Sequence, residues 1–270
     1  MAEAVQSVRS YVLLAGIAVR ASMAYRASFA MLTVSQFLVT FIDFAAIVVM
    51  FSNVSSLGGF GFAEIALLYA VSSLGVGVAD LLAGNCERLG RKVRDGSFDV
   101  MLIRPAPALV QVATDAFSLR RLGRIGQAVV VLVWSLGSVP VGWTVTKAAM
   151  LVVAVVCGVV IFSAVFVIGG AFQFWANDSA EVSNAFTYGG NYLTQYPLTI
   201  YPAEVVKTVT FVVPLAFVNW YPLLYVLGRD VPGGLPNVLR FASPVVALVM
   251  SSLALAVWSA GMRRYSGTGS

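Results

Sequence analysis

The sequence predicts an all-α membrane protein with six transmembrane helices, an amphipathic surface helix at the amino end and one basic cytoplasmic loop. Three observations carry that reading. The 270 residues are 59% apolar and only 11% charged, where a soluble chain carries about 25% charged residues. Mean hydropathy is +0.89. Of the 17 Lys and Arg residues, eight fall within residues 84–124, between apolar runs. A loop this basic resists translocation and stays inside.

Residues 1–26 hold too short an apolar run to cross, since crossing takes roughly 20 residues. Val5, Val8, Val12 and Val19 recur at helical spacing, with Glu3, Gln6, Arg9 and Arg20 elsewhere on the wheel. This is the pattern of a helix lying on a membrane surface. A cleaved signal peptide ending near Ser22-Met23-Ala24 is the rival, weakened by Glu3 and a barely basic start. Spans are expected at about Ala27–Phe51, Phe62–Ala83, Ile125–Val141, Lys147–Phe172, Val205–Leu227 and Phe241–Met262. Residues 173–204 mix Asn177, Asp178, Glu181, Asn184, Asn191 and Gln195 with four tyrosines and Trp175. They are expected to form an interfacial segment, a surface helix followed by an extended Tyr-Pro stretch. On this topology the inner segments hold fourteen Lys and Arg and the outer ones three. Both termini are therefore expected in the cytoplasm, and residues 1–270 read as one transmembrane domain.

Several functions are disfavoured. There is no His and no Gly-x-x-x-x-Gly-Lys-Ser/Thr phosphate cradle. Cys86 and Cys157 fall at the edge and in the depth of different spans, so neither a disulfide nor a zinc site is expected. The net charge of +5 follows from inside-positive orientation, and the basic loop holds only Phe98 and Phe117 for stacking, so nucleic acid is not an expected partner.

Two groups of polar residues in the spans are candidate functional positions. Thr33, Gln36, Thr40 and Asp43 step by three, four and three, which places them within about an 80° arc of one helix face. A carboxylate at the bilayer centre costs about 2.5–3.5 kcal/mol on insertion scales, so Asp43 should not face lipid. The stripe lines a solute path or a subunit interface, or it is ordinary hydrogen-bonding glue between helices. Pro214, Asn219 and Pro222 interrupt the fifth span. Proline removes a backbone donor, and in lipid the freed carbonyls need protein or water. We read a functional break at an interior surface or re-entrant turn; a simple kink is the alternative. Glu64 and Asp80 bracket the second span as solvated end charges. Ala154 and Gly158 give small-x-x-x-small spacing, and Gly169-Gly170 is expected to end or loosen the fourth span. In the basic loop, Cys86–Asp95 and Pro107–Phe117 have helical potential. Gly96 with Ser97 marks a bend, and Asp99 with Arg104 is expected to fix the loop by a local ion pair.

The loop reads Gly96-Ser97-Phe98-Asp99-Val100-Met101-Leu102-Ile103-Arg104-Pro105, and Tyr196-Pro197, Tyr201-Pro202 and Pro214 through Pro222 follow. Together these strings resemble a bacterial branch of the type-2 ATP-binding-cassette (ABC) exporter permeases. The resemblance implies half of a transmembrane dimer, with a second permease subunit, identical or related. It implies a separate ABC ATPase that carries ATP and Mg, docked on a coupling helix in the basic loop, with no cofactor or catalytic residue on this chain. Arg88, Arg91, Arg94, Gly96, Asp99, Arg104 and Pro105 would make that contact. The first and fifth spans would meet near the dimer axis, in the bacterial cytoplasmic membrane. The competing readings are an ion- or proton-coupled secondary transporter, for which Asp43 is the one deep ionisable candidate, and an integral-membrane enzyme.

Overall fold

The computed structural model describes residues 2–115, 118–176 and 180–265. Helix α1 (Ala2–Met23) precedes α2 (Arg26–Phe51), α3 (Phe62–Ala83), a platform of short helices, α7 (Leu122–Ser138) and α8 (Val145–Phe172). Then come α9 (Ala180–Thr194), a broken pair containing α10 (Ala203–Lys207) and α11 (Trp220–Leu227), and α12 (Ser243–Arg264). The platform comprises a 3-10 turn at Gly84–Arg88, α4 (Leu89–Arg94), α5 (Ser97–Leu102), α6 (Ala108–Thr114) and a 3-10 turn at Leu119–Arg121.

The chain is an all-α membrane protein. Four helices, α2, α3 (continued to Arg94), α8 and α12, are long and apolar enough to cross a bilayer. The 17 residues of α7 make a helix of about 25 Å, at the short limit for crossing. Helix α3 is apolar on all sides and almost wholly buried, as expected of a helix surrounded by others. Its Gly75 meets the backbone of Gly158 on α8. Gly170 of α8 lets the backbone of Cys86 approach, and Gly169 does the same for Ser183. The glycine pair therefore does not end the helix, which continues to Phe172; it admits two neighbours at close range. The spacing of Ala154 and Gly158 serves the same end, with Val218 packed on Gly158.

Residues 173–204 depart from expectation. Asn177, Asp178 and Ser179 lie outside the described residues. Helix α9 does not lie on a surface: Ser183, Thr187, Asn191, Thr194 and Gln195 are all buried. Thr187 donates to Glu87 at the platform end of the bundle. Asn191 and Thr194 bond Ser72 halfway along α3. Thr199 reaches the Gly58 carbonyl at the far end. The segment from 180 to 202 thus runs the length of α3. Thr187, Asn191 and Thr194, at four- and three-residue steps, find partners on α3 and the platform, which removes their reason to float at the interface.

Residues 203–227, expected as one crossing, form two arms bent by 79°. Lys207 lies by Pro232 and Gly233 at the far end. Val212 and Val213 descend to the level of Gly169 and Ser183, and Arg229 is back beside Glu64. The arms enter and leave at the same end. Moving Lys207 to that end changes the charge asymmetry from fourteen against three to thirteen against four, which keeps its sign.

Helix α1 and the residue after α12 both bond at the platform end. Tyr11 of α1 donates to the Leu82 carbonyl, and Tyr265, after α12, donates to Asp99. At the far end Arg229 grips the Glu64 carboxylate from two nitrogens at 2.9 and 3.2 Å and lies 4.0 Å over the Phe60 ring. Glu64 also accepts from Gly61 N at the start of α3. It is an organised tie, where a solvated end charge was expected.

Candidate functional site

The platform is held by four ties. Gln173 at the end of α8 accepts from Gly90 N at 2.6 Å and donates to the Glu87 carbonyl at 3.0 Å. Asn85 donates to the Ala113 carbonyl, and Gln111 donates to the carbonyls of Met101 and Ala106. Lys92 pairs with Asp115. Between α4 and α5 the chain turns at Gly96, which takes φ 73°, a left-handed conformation that glycine adopts without a Cβ clash. Asp95 stabilises the turn by accepting from Ser97 N and Ser97 Oγ. These hydrogen bonds hold its carboxyl below the ordinary carboxylate range.

The expected helices are present as Gly84–Arg94 and Ala108–Thr114, and α5 lies between them. Phe117 falls outside the described residues. One face of α5 is locked into the bundle. Phe98 is fully buried and meets Phe174 and Tyr265 edge-on, at 5.5 and 5.0 Å between ring centres. Phe174 in turn meets Trp258 of α12. The other face points away, with Val100, Leu102 and Ile103 exposed. Arg88, Arg91, Arg94, Arg104 and Pro105 are also exposed.

The expected Asp99–Arg104 pair does not form among the described residues. Asp99 accepts from the Tyr265 hydroxyl at 2.8 Å, because α5 presents Asp99 inward toward the end of α12 and leaves Arg104 past its carboxyl end. Tertiary contacts, Asp99 to Tyr265 among them, shape the loop.

The α2 stripe faces protein. Thr33 and Gln36 lie where Gly123 of α7 presses on the α2 backbone. Thr40 bonds the Gln36 carbonyl of its own helix, and its carbonyl accepts from Tyr69 of α3. Asp43 is half-buried and accepts from Tyr192 of α9 at 3.5 Å.

The break is organised by Asn219. This fully buried residue donates to the Leu68 carbonyl at 3.0 Å and the Thr194 carbonyl at 2.6 Å. It thereby joins α3, the end of α9 and the turn. Pro222 occupies the first turn of α11, where backbone donors have no helical partner to lose. Ser243 of α12 donates to the Phe217 carbonyl, satisfying a group the break sets free. Stripe and break do not meet within one chain: α3 stands between them, offering Tyr69 to Thr40 and the Leu68 carbonyl to Asn219.

Sequence reasoning passed over several of these residues. The buried pair of Asp80 with Arg121, 2.9 Å apart, was expected as a solvated end charge. Gln173 and Tyr265 carried no motif, and Phe98 stood in the quoted loop string without a role of its own. The α9 stripe was visible in its spacing. Cys86 and Cys157 are buried and free. Among the described residues no group of His, Cys, Asp or Glu could hold a metal ion.

Comparison with curated proteins and with solved structures returns no match. The family described as ABC-2 family transporter protein matches over residues 37–269, from the middle of α2 through the whole platform, the broken pair and α12. The chain therefore belongs to the ABC-2 transporter family, as a multi-pass permease subunit of an ABC transporter.

Proposed function

We propose that this chain is one permease half of an ATP-driven exporter, working with a separate ABC ATPase and a second permease subunit, identical or related. Six crossings are assigned to α2, α3, α7, α8, residues 180–202 and α12, with residues 203–227 as a re-entrant hairpin on the outer side. The platform and both termini face the bacterial cytoplasm. ATP and Mg belong to the ATPase; this chain does no covalent chemistry and converts ATPase closure into helix movement.

One observation carries the reading. Helix α5 offers Val100, Leu102 and Ile103 outward while Phe98 and Asp99 bind it to the ends of α8 and α12 through Phe174 and Tyr265. A partner seated on the exposed face would displace two long helices through that lock. Basic residues around it suit an acidic groove, and an apolar centre with a charged rim is the usual anatomy of an interface.

The test is copurification of the ATPase with the tagged full chain. Ile103→Asp and Arg104→Glu are expected to leave insertion intact and weaken ATPase retention about tenfold, the effect of losing an interface anchor. Full retention in both variants overturns the docking assignment. Labelling of Arg91→Cys and Lys147→Cys with an impermeant maleimide on intact cells tests orientation: only the Lys147→Cys variant should react.

A further inference from the structure

A polar cavity of about 250 Å³ lies at the platform end, among α2, α3, α7 and α9. At about 30 Å³ per water, it has room for a small polyatomic ion with its hydration. Arg88, Arg120, Arg121 and Arg124 line it, against two carboxylates, Asp80 and Glu87. Arg121 Nε lies 2.9 Å from Asp80 Oδ1, and Arg121 Nη2 donates to Asn85. Glu87 accepts from Thr187. Asp43 is a further acid within electrostatic reach of Arg124, and its carboxylate is engaged by Tyr192. Counting all three acids, positive charge remains in excess.

The donors are also incompletely used. Nη1 of Arg121 and Nη1 of Arg124 are buried and have no hydrogen-bond partner. Arg124 is held with its guanidinium 5.3 Å over the Tyr188 ring, which fixes the plane of its fork. A buried donor without an acceptor costs about 1–3 kcal/mol, more when charged. Guanidinium forks match the geometry of phosphate oxygens. Arg120 and Arg88 are exposed at the rim, so the cavity opens outward on its basic side.

We infer that this cavity binds one phosphate group, carried by an anionic phospholipid headgroup or by a phosphorylated solute. The inference does not depend on ATPase docking. A phosphate seated there would join α2, α3, α7 and α9 at one point, beside the pair of Asp80 with Arg121. The alternative is that water alone fills the cavity and the arginines act as diffuse surface charge, at about 1 kcal/mol each.

The experiment uses the full chain purified in neutral detergent and delipidated. The probes are phosphatidylglycerol, phosphatidylcholine and inorganic phosphate, read by native mass spectrometry and thermal shift. Retention of one phosphatidylglycerol in preference to phosphatidylcholine, weakened at least about tenfold in Arg124→Gln and Arg120→Gln but not in Arg264→Gln, supports a lipid-derived phosphate. Stabilisation by inorganic phosphate without lipid retention supports a soluble phosphorylated ligand at the same groups. Arg124→Lys, which keeps the charge and loses the fork, should bind more weakly than wild type and more tightly than Arg124→Gln. If wild type takes up neither probe, or Arg264→Gln loses as much as Arg124→Gln, the inference fails. The wild-type arms need no variant to fold.

Discussion

Asn219 is the residue whose loss should most directly separate the bent pair of residues 203–227 from the bundle. Its amide nitrogen serves two carbonyls, Leu68 at 3.0 Å and Thr194 at 2.6 Å. These acceptors are not equivalent. Leu68 lies inside α3, where its carbonyl already serves the helix ladder. Thr194 is the last residue of α9, so its carbonyl has no helical donor ahead of it. Asn219→Ala leaves that carbonyl buried and unserved, at about 1–3 kcal/mol. Losing the second bond adds about 0.6 kcal/mol, the mean for side-chain hydrogen bonds between membrane helices. The total is about 2–4 kcal/mol. At roughly 2–4 °C per kcal/mol for chains of this order of size, the melting temperature in detergent should fall by about 4–16 °C. Asn219→Asp should fall further, since it turns a donor into a third acceptor facing two carbonyls. Asn53→Ala, whose side chain is exposed and bonded within its own helix end, sets the baseline. A melting temperature for Asn219→Ala within about 1 °C of wild type, or an Asn219→Asp chain as stable as wild type, would refute the reasoning.

Gly123→Ala should reduce thermal stability or folded yield, because a Cβ there meets the α2 backbone at Thr33 and Phe37. Gly137→Ala on the same helix has open space and should be neutral or stabilise by about 0.5–1 kcal/mol. Tyr265→Phe keeps the edge-on contact with Phe98 and drops the bond to Asp99. It should cost about 1.5–3 kcal/mol if Asp99 is charged, and a double-mutant cycle with Asp99→Asn should show that the two changes are not additive. The Asp95 carboxyl is lowered from its ordinary 3.8 by the Ser97 bonds. Its contribution to the Gly96 turn is present above that value and disappears as pH falls through the lower folded value. An NMR titration should show Ser97→Ala moving the midpoint up toward 3.8, and no upward movement would remove Ser97 as the cause.

Much of the fold was legible because its signals are local. Apolar length set α2, α3, α8 and α12 within a few residues, and Gly96 announced the turn between α4 and α5. Two larger errors share one physical origin. Four polar residues on α2 were recognised as a stripe by their spacing of three, four and three. Ser183, Thr187, Asn191 and Thr194 step by four, four and three, and the same arithmetic puts them on one face of α9. They were read instead by composition, as the content of an interfacial segment. In a bilayer, composition misleads when polar groups can pair inside: Ser72 on α3 answers Asn191 and Thr194, so the segment is buried despite its polarity. Once residues 180–202 run the length of the bundle, Val205–Leu227 no longer has to. The two prolines then mark a turn that enters and leaves at one end, with Asn219 tying it to the carbonyls of Leu68 and Thr194. The platform followed the same rule at smaller scale. Asp99 and Arg104 are close in sequence and invited a local pair, yet Asp99 found Tyr265, 166 residues away. No local pattern encodes that partner; it exists because α8 and α12 deliver Phe174 and Tyr265 to the same place as Phe98.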